Sequence, residues 1–138
     1  MKKIIFTLII VLSFGNITNA QTDSTGFSCE QHLPFPYVSD GQQYVTLVTK
    51  EQAAEFNVTF YEGTTYRIVA CSGESDGNLL FTLYDKERNQ LFASSDFDNT
   101  PYWDFKFETT MECFIEAKLK PDGEQDSGFA IVLIGFKK

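Results

Sequence analysis

Apolar and polar residues alternate with a period of two along most of the chain after residue 42. In the clearest run, Trp103, Phe105 and Phe107 alternate with charged residues. Successive side chains of a β-strand point to opposite faces, so this pattern predicts a half-buried strand. Similar runs occupy residues 44–48, 56–60, 66–71, 79–83, 91–94 and 113–119. The last run, residues 128–136, is almost continuously apolar, which is typical of a strand covered on both faces.

Short polar segments separate these runs. Residues 72–78 and 86–90 are rich in Gly, Asp, Asn and charged side chains, as expected for turns. Residues 50–55 are compatible with either a loop or one helical turn. The spacing predicts an all-β fold, an antiparallel β-sandwich of about eight strands that is jelly-roll-like. Aromatic residues form 15% of the chain, and most of them are expected between the two sheets.

The N-terminal residues have the pattern of a signal peptide. Lys2 and Lys3 precede an apolar run over residues 4–14, and Ala20 offers a small residue for cleavage. An uncleaved anchor is disfavoured because polar residues and glycine interrupt the run over 13–16, and a spanning helix needs about 20 apolar residues. We predict a signal peptide over residues 1–20, with export to the periplasm or the medium and no membrane insertion after cleavage.

The rest of the chain divides into a lead-in and one domain. Residues 21–41 are rich in Ser, Thr, Pro, Asp and Gly and predict an extended lead-in segment. Within it, residues 33–37 carry two prolines and two aromatic side chains, so they are expected to lie along the sandwich as an edge or a cover. Residues 42–138 form the predicted β-sandwich domain, which is long enough to bury a core.

The charge of the chain excludes one class of partner. It carries 19 acidic and 11 basic residues, for a formal net charge of −8. An acidic surface repels the phosphate backbone, so nucleic acid is not an expected partner.

Three cysteines in an exported chain allow one disulfide and one remaining thiol. The pairs Cys29–Cys71, Cys29–Cys113 and Cys71–Cys113 are all open, as is a fully reduced state. We favour Cys71–Cys113, because both residues lie at or near strand ends in the centre of the domain.

The sequence offers little support for catalysis. His32 is the one histidine of the chain, and a catalytic or metal-bound histidine would need a partner that no second histidine supplies. The Gly-x-Ser-x-Gly spacing of a nucleophile elbow occurs at residues 73–77, but these residues lie in the predicted polar turn and no helix is predicted after them. Phosphate-binding motifs are absent from the sequence. We therefore predict that the protein is not an enzyme and needs no cofactor, with Ca²⁺ as the one ion to consider.

Acidic loops are the candidates for a calcium site, since Ca²⁺ takes six to eight oxygen ligands. Asp96 and Asp98 are the first choice, and two further acidic loops cover residues 74–78 and 122–126. None of them has the spacing of an EF-hand, so solvated turns are the simpler interpretation.

Sugar-binding sandwiches use exposed aromatic rings as stacking platforms, and Tyr102, Trp103 and Asp104 are the corresponding candidates here. Trp103 shares a face with Phe105 and Phe107, so a core position is the expected role for its ring. Tyr102 points to the opposite face and is the better candidate for an exposed platform.

Several segments resemble the bacterial pre-peptidase C-terminal type of domain and, more distantly, the GOLD-like sandwiches. They are Tyr66-Arg67-Ile68-Val69, Gly77-Asn78-Leu79-Leu80-Phe81-Thr82-Leu83-Tyr84-Asp85, Leu91-Phe92-Ala93-Ser94, Trp103-Asp104-Phe105 and Gly128-Phe129-Ala130-Ile131-Val132. The resemblance covers residues 54–136 and implies a jelly-roll-like, non-catalytic attachment of secreted proteins. Some members of that family bind calcium or polysaccharide. The cysteines of this chain depart from the family pattern.

Together these features predict an exported, non-enzymatic binding or interaction module of a bacterial cell envelope or secretome, whose partner is a protein or a glycan. A carbohydrate- or calcium-binding accessory module is the first alternative. A structural subunit that assembles by strand exchange is the second, with residues 33–38 as the donated strand or as a cover.

Overall fold

The structure is a computed structural model that describes residues 29–73 and 75–137. This part of the chain contains eight strands: β1 (Val38–Thr49), β2 (Ala54–Phe60), β3 (Thr65–Cys71), β4 (Leu79–Asp85), β5 (Gln90–Ala93), β6 (Tyr102–Lys106), β7 (Met111–Leu119) and β8 (Ser127–Lys137). One 3-10 helix, η1 (Ser94–Phe97), follows β5. No helix in the described ranges is long and apolar enough to cross a bilayer. The predicted signal peptide lies outside the described residues.

The strands pair in a nested order. β4 pairs with β5, β3 with β6, β2 with β7 and β1 with β8, and every pair is antiparallel. The pairs combine into sheet A, with the order β1-β8-β3-β6, and sheet B, with the order β2-β7-β4-β5. This is the arrangement of a jelly roll, in which one long hairpin is rolled into two packed sheets. The predicted fold class is confirmed.

The alternating side chains fill the space between the sheets as predicted. Ile68 of β3, Phe81 of β4 and Ile115 of β7 are fully buried in one cluster to which both sheets contribute. Trp103 packs against this cluster and Phe107 belongs to it, so this face of β6 and the turn that follows is the inner one. The cluster between the sheets is apolar, and its burial is the main force that holds the two sheets together.

The first strand begins earlier than the pattern predicts. β1 starts at Val38, inside the predicted lead-in, and its pairing with β8 shifts register between Ser39 and Gln43. Gly41 lies in this bulge with φ +81°, a conformation that other residues rarely adopt. Because the bulge residues are polar and do not alternate, the pattern of apolar residues gave no signal of a strand here.

Residues 29–37, the cover segment, lie on the outer face of sheet A. Cys29 and Leu33 pack against Ile131 and Leu133 of β8 in a second apolar cluster, separate from the main core. A Cβ added at Gly135 would lie 2.6 Å from a methyl carbon of Leu33, so the glycine leaves the room that Leu33 occupies. Of the two roles predicted for residues 33–37, edge or cover, the structure shows the cover.

The predicted disulfide is wrong. Cys71 pairs with Cys29, with a Cα–Cα distance of 6.0 Å, and Cys113 is a free, buried thiol. Cys71 lies on the outer face of sheet A under the cover segment, whereas Cys113 points into the core from sheet B. Sheet A therefore lies between the two side chains, and they cannot meet without a large backbone movement. Burial, aided by the charge of Asp85, raises the pKa of the Cys113 thiol to about 11.

Candidate functional site

The two long seams of the sandwich, where the edge strands of the sheets face each other, are built differently. At the β5/β6 seam the chain passes through η1, and the ring of Phe97 lies 4.3 Å from that of Trp103. Phe92 lies beside the same indole at 5.0 Å, so aromatic rings close this seam. At the β1/β2 seam no helix of the described residues lies between the edges, and a cleft of about 570 Å³ opens there.

The cleft, which we call the seam cleft, combines aromatic rings with neutral polar groups. Its lining consists of Asp40, Gln42, Tyr44, Asn57, Val58, Thr59, Tyr61, Thr64, Tyr66, Ile134 and Phe136. Ile134 and Tyr66 belong to the buried core and form the apolar floor. Such a volume lies in the range of small-ligand and side-chain pockets in proteins.

The bulge of β1 shapes one wall of the seam cleft. The backbone N–H of Gln42 donates to the carboxylate of Asp40 at 2.8 Å, and the hydroxyl of Tyr44 donates to the side-chain oxygen of Gln42. The Tyr44 ring packs on Phe56 of β2 at 5.3 Å, which joins the two edges at this point.

Partial burial shifts the pKa values of two ionisable groups on the same wall. Burial raises the pKa of the Asp40 carboxyl, although the hydrogen bond from Gln42 opposes that effect. Burial also raises the pKa of Tyr44, with the nearby charge of Asp40 adding to it. In the part of the chain that the structure describes, Asp40 is the one carboxylate that lines the seam cleft.

The opposite wall is the edge of β2. Asn57, Val58 and Thr59 line the cleft consecutively, although their side chains alternate between the two faces of the sheet. Three successive residues of a strand can line the same cleft when the backbone edge of the strand faces that cleft. Beyond them, the N–H of Tyr61 donates to the hydroxyl of Tyr66 at 3.0 Å. This bond positions the Tyr61 ring at the rim, where it is 60% exposed.

Two of the three predicted sugar-binding residues, Tyr102 and Asp104, lie away from the seam cleft, on the outer face of sheet A. Tyr102 is 36% exposed, and the guanidinium of Arg67 lies 4.3 Å from the centre of its ring. Tyr37 of the cover segment flanks the same guanidinium at 4.3 Å on another side. His32 packs beside Tyr102 with ring centres 5.5 Å apart. Trp103 is on the inner face, so the three candidates do not form one platform.

Asp104 is the charged partner of this arrangement. Its carboxylate accepts two hydrogen bonds from Arg67, at 2.7 and 3.0 Å. Burial alone would raise the pKa of Asp104, but the bonds and charge of Arg67 outweigh it and hold the pKa below its ordinary value. Arg67 also donates to the carbonyl of His32 at 3.1 Å. The Arg67 group therefore fastens the cover segment to sheet A.

The calcium candidates Asp96 and Asp98 lie at the closed seam, within and just after η1. Asp98 has a left-handed backbone, φ 54°, and its N–H donates to the carbonyl of Ser94, which ends the 3-10 helix. Across residues 29–73 and 75–137, no three His, Cys, Asp or Glu side chains gather into a group that could hold a metal ion. In the other two acidic loops, Asp76 contacts His32 at 3.1 Å and Asp126 contacts Lys50 at 3.5 Å. The calcium site stays a prediction.

Sequence reasoning missed the seam cleft because its lining comes from segments far apart in the chain. β1, β2, the turn after β2, β3 and β8 all contribute. One signal was available: Asp40-Gly41 interrupts an otherwise extended segment, which is a composition typical of a bulge.

Comparison with known proteins supports the fold. The structure is similar to the crystal structure of PliG from Aeromonas hydrophila, a periplasmic lysozyme inhibitor of g-type lysozyme, with a TM-score of 0.54 and 9% sequence identity. The match covers 70% of this chain and 85% of the inhibitor. No protein-family model and no curated protein matches the sequence. The resemblance to pre-peptidase C-terminal domains therefore stays a prediction.

Proposed function

We propose that this chain is an exported, non-enzymatic binding module of a bacterial cell envelope that holds a protein partner in the seam cleft. The observation that carries the proposal is the cleft itself. It is open to solvent between two strand edges, has an apolar floor, and is lined at its rim by Tyr61, by neutral polar groups and by the carboxylate of Asp40. A concave, mostly apolar site with a few polar groups is the usual form of a binding pocket.

The chemistry of the cleft favours binding over catalysis. Hydrolysis by paired carboxylates requires two of them, and among residues 29–73 and 75–137 Asp40 is the one carboxylate in the lining. His32 lies on the outer face of sheet A, where it contacts Asp76 and Tyr102. It is therefore remote from the seam cleft and is engaged in fastening the cover segment.

Two observations favour an exported protein with a protein partner. The Cys29–Cys71 disulfide is of a kind that persists in oxidising compartments such as the periplasm. The Aeromonas protein of similar fold is a periplasmic inhibitor of a lysozyme, so in that case such a fold acts on a protein. At 9% identity this likeness supports the class of function and does not identify the target.

The proposal is tested by affinity capture from the cell envelope with the mature domain. Thr64 lines the cleft and is half-buried, so Thr64→Trp would fill part of it. Ser95→Trp is the matched control, because Ser95 is exposed on η1 at the opposite seam. We expect one protein to be captured by the wild type and by Ser95→Trp but not by Thr64→Trp. Capture of glycan without protein would contradict a protein partner and would favour the carbohydrate-binding alternative.

A direct assay complements the capture. Purified g-type lysozyme is assayed with increasing amounts of the wild-type domain and of Thr64→Trp. Inhibition by the wild type that Thr64→Trp lacks would identify the class of partner. If lysozyme activity is unchanged, g-type lysozyme is not the partner, and the protein identified by affinity capture is tested instead.

A further inference from the structure

We propose that the occupant of the seam cleft is an extended segment of the partner protein, which adds to sheet B as a strand beside β2 and places an apolar side chain in the cleft. This inference rests on the proposed function and specifies the mode of binding. Addition of a strand to a free sheet edge is a common mode of peptide recognition, with affinity from backbone hydrogen bonds and specificity from side-chain pockets.

β2 has the geometry of a receptive edge. It pairs with β7 in unbroken register over all seven residues, from Ala54↔Ala117 to Phe60↔Met111. Within the described ranges, no strand pairs with its other side and no backbone hydrogen bond reaches residues 54–60 from outside the sheet. An edge strand presents the free N–H and C=O groups of every second residue along that side, and residues 57–59 of this edge line the cleft.

β2 also lacks the features that block other edges. Natural edge strands are protected by Lys, Pro, a bulge or short length. β2 contains neither Lys nor Pro, and its one charged residue, Glu55, is held by Arg88 through bonds of 2.7 and 2.8 Å. In contrast, β1 carries the bulge after Ser39, and β5 has four residues. β2 is therefore the regular, unprotected edge at the open seam.

The cleft beside this edge determines what the added strand must carry. Its floor is apolar, formed by Ile134 and the rings of Tyr66 and Phe136, so an apolar or aromatic side chain fits it. The carboxylate of Asp40 lies on the facing wall, and the whole chain has a net charge of −8. Electrostatic complementarity then favours basic residues beside the apolar anchor. The expected occupant is a basic, extended peptide segment with one apolar anchor.

The probe for this inference is a displayed library of random octapeptides, selected on the mature domain. We expect enrichment of peptides with one central apolar residue and Lys or Arg beside it. The best synthetic peptide is then N-methylated at each amide in turn. An added strand uses every second N–H in its ladder, so alternate methylations should weaken binding about tenfold or more, and the others much less.

Variants of the domain locate the binding. Thr64→Trp should abolish peptide binding by filling the cleft, and Asp40→Lys should weaken it by reversing the charge on the wall. Ser95→Trp should leave it unchanged. Each variant's melting temperature is compared with that of the wild type as a control for folding. Asp40→Lys, at the rim, provides a second test that does not depend on filling the cleft. Amide hydrogen exchange should show new protection within residues 57–59 on binding.

Different results would overturn the inference. If no peptide is enriched, if methylation has no alternating pattern, or if Thr64→Trp and Asp40→Lys both bind peptide normally, strand addition at β2 is wrong. If an envelope protein is still captured by the wild type but not by Thr64→Trp, the proposed function stands and only its mode of binding fails. If cleft-dependent binding is seen for a saccharide and not for any peptide, both are wrong.

Discussion

Ser94 shows how one residue supports the closed seam. It is fully buried, and its hydroxyl accepts the backbone N–H of Phe81 in β4 at 3.0 Å. Its carbonyl accepts the N–H of Asn99 at 3.0 Å, so a single residue joins β4 to the turn after η1. A buried polar group that loses its partner costs more than the hydrogen bond itself contributed.

We expect Ser94→Ala to reduce the free energy of unfolding by about 1–3 kcal/mol, because the N–H of Phe81 would be buried without an acceptor. Urea denaturation measures the change. Ser95→Ala is the control, since Ser95 is exposed and should change stability little. Equal midpoints for the two variants would show that water or another group replaces the Ser94 hydroxyl.

Asp104 should contribute to the pH dependence of stability. Its folded-state pKa lies below the ordinary value of 3.8, so the charged form is favoured in the folded protein. The stability that it contributes is therefore present above about pH 4 and is lost as the pH falls through the folded pKa. Thermal melts between neutral and acidic pH should show a smaller acid-induced decrease for Asp104→Asn than for the wild type. Asp96→Asn is the control. Equal decreases in the wild type and Asp104→Asn would contradict this role.

At the level of elements, the cover segment depends on the missing side chain of Gly135. Gly135→Ala would place a methyl group in the space of Leu33, and overpacking of this kind costs about 1–3 kcal/mol. If the cost comes from this contact, it should be smaller in the Leu33→Ala background. A double-mutant cycle of unfolding free energies measures the coupling. Additive effects of the two substitutions would show that Gly135 acts through something other than Leu33.

The disulfide fixes the same segment covalently. It closes a loop with a sequence separation of 42 residues, which on a chain-entropy model stabilises the fold by about 4 kcal/mol. We expect a reducing agent to lower the melting temperature of the wild type and to leave a Cys29→Ala/Cys71→Ala double variant unchanged. Cys113→Ala should respond to reduction as the wild type does. A Cys113→Ala protein that is insensitive to reduction would indicate that the pairing described here is wrong.

At the scale of the whole molecule, the sandwich is asymmetric. Its β5/β6 seam is closed by aromatic packing, and its β1/β2 seam is open. Asp96 and Asp98, the candidate calcium ligands, lie at the closed seam. The binding site that we propose lies at the open seam. Metal binding and partner binding would thus occur on opposite sides of the sandwich.

The calcium hypothesis predicts a higher melting temperature in Ca²⁺ than in EDTA, because an ion that binds only the folded state stabilises it. In the Asp96→Asn/Asp98→Asn double variant the difference should disappear. Identical midpoints for the wild type in the two buffers would refute the site. Mg²⁺ at the same concentration controls for ionic strength.

Much of the fold was predictable because alternation is a local property. Tyr66, Ile68 and Ala70 face the core as their spacing predicted, and so does Cys113 with its neighbours in β7. Trp103 could be assigned to the core because it shares a face with Phe105 and Phe107. The same alternation contained a signal about the disulfide: Cys71 lies on the same face of β3 as Arg67, opposite the core-facing residues.

The sequence by itself determined the number of strands, their inner faces and the apolar interior, since each depends on neighbouring residues within one strand. Tertiary structure decided which cysteine Cys71 meets, because that depends on where the cover segment crosses sheet A. The position of the seam cleft also depends on the tertiary structure, because its walls come from the edges of two different sheets. No local pattern specifies which strands become edges or which seam stays open, because those features arise from the order in which the strands pair.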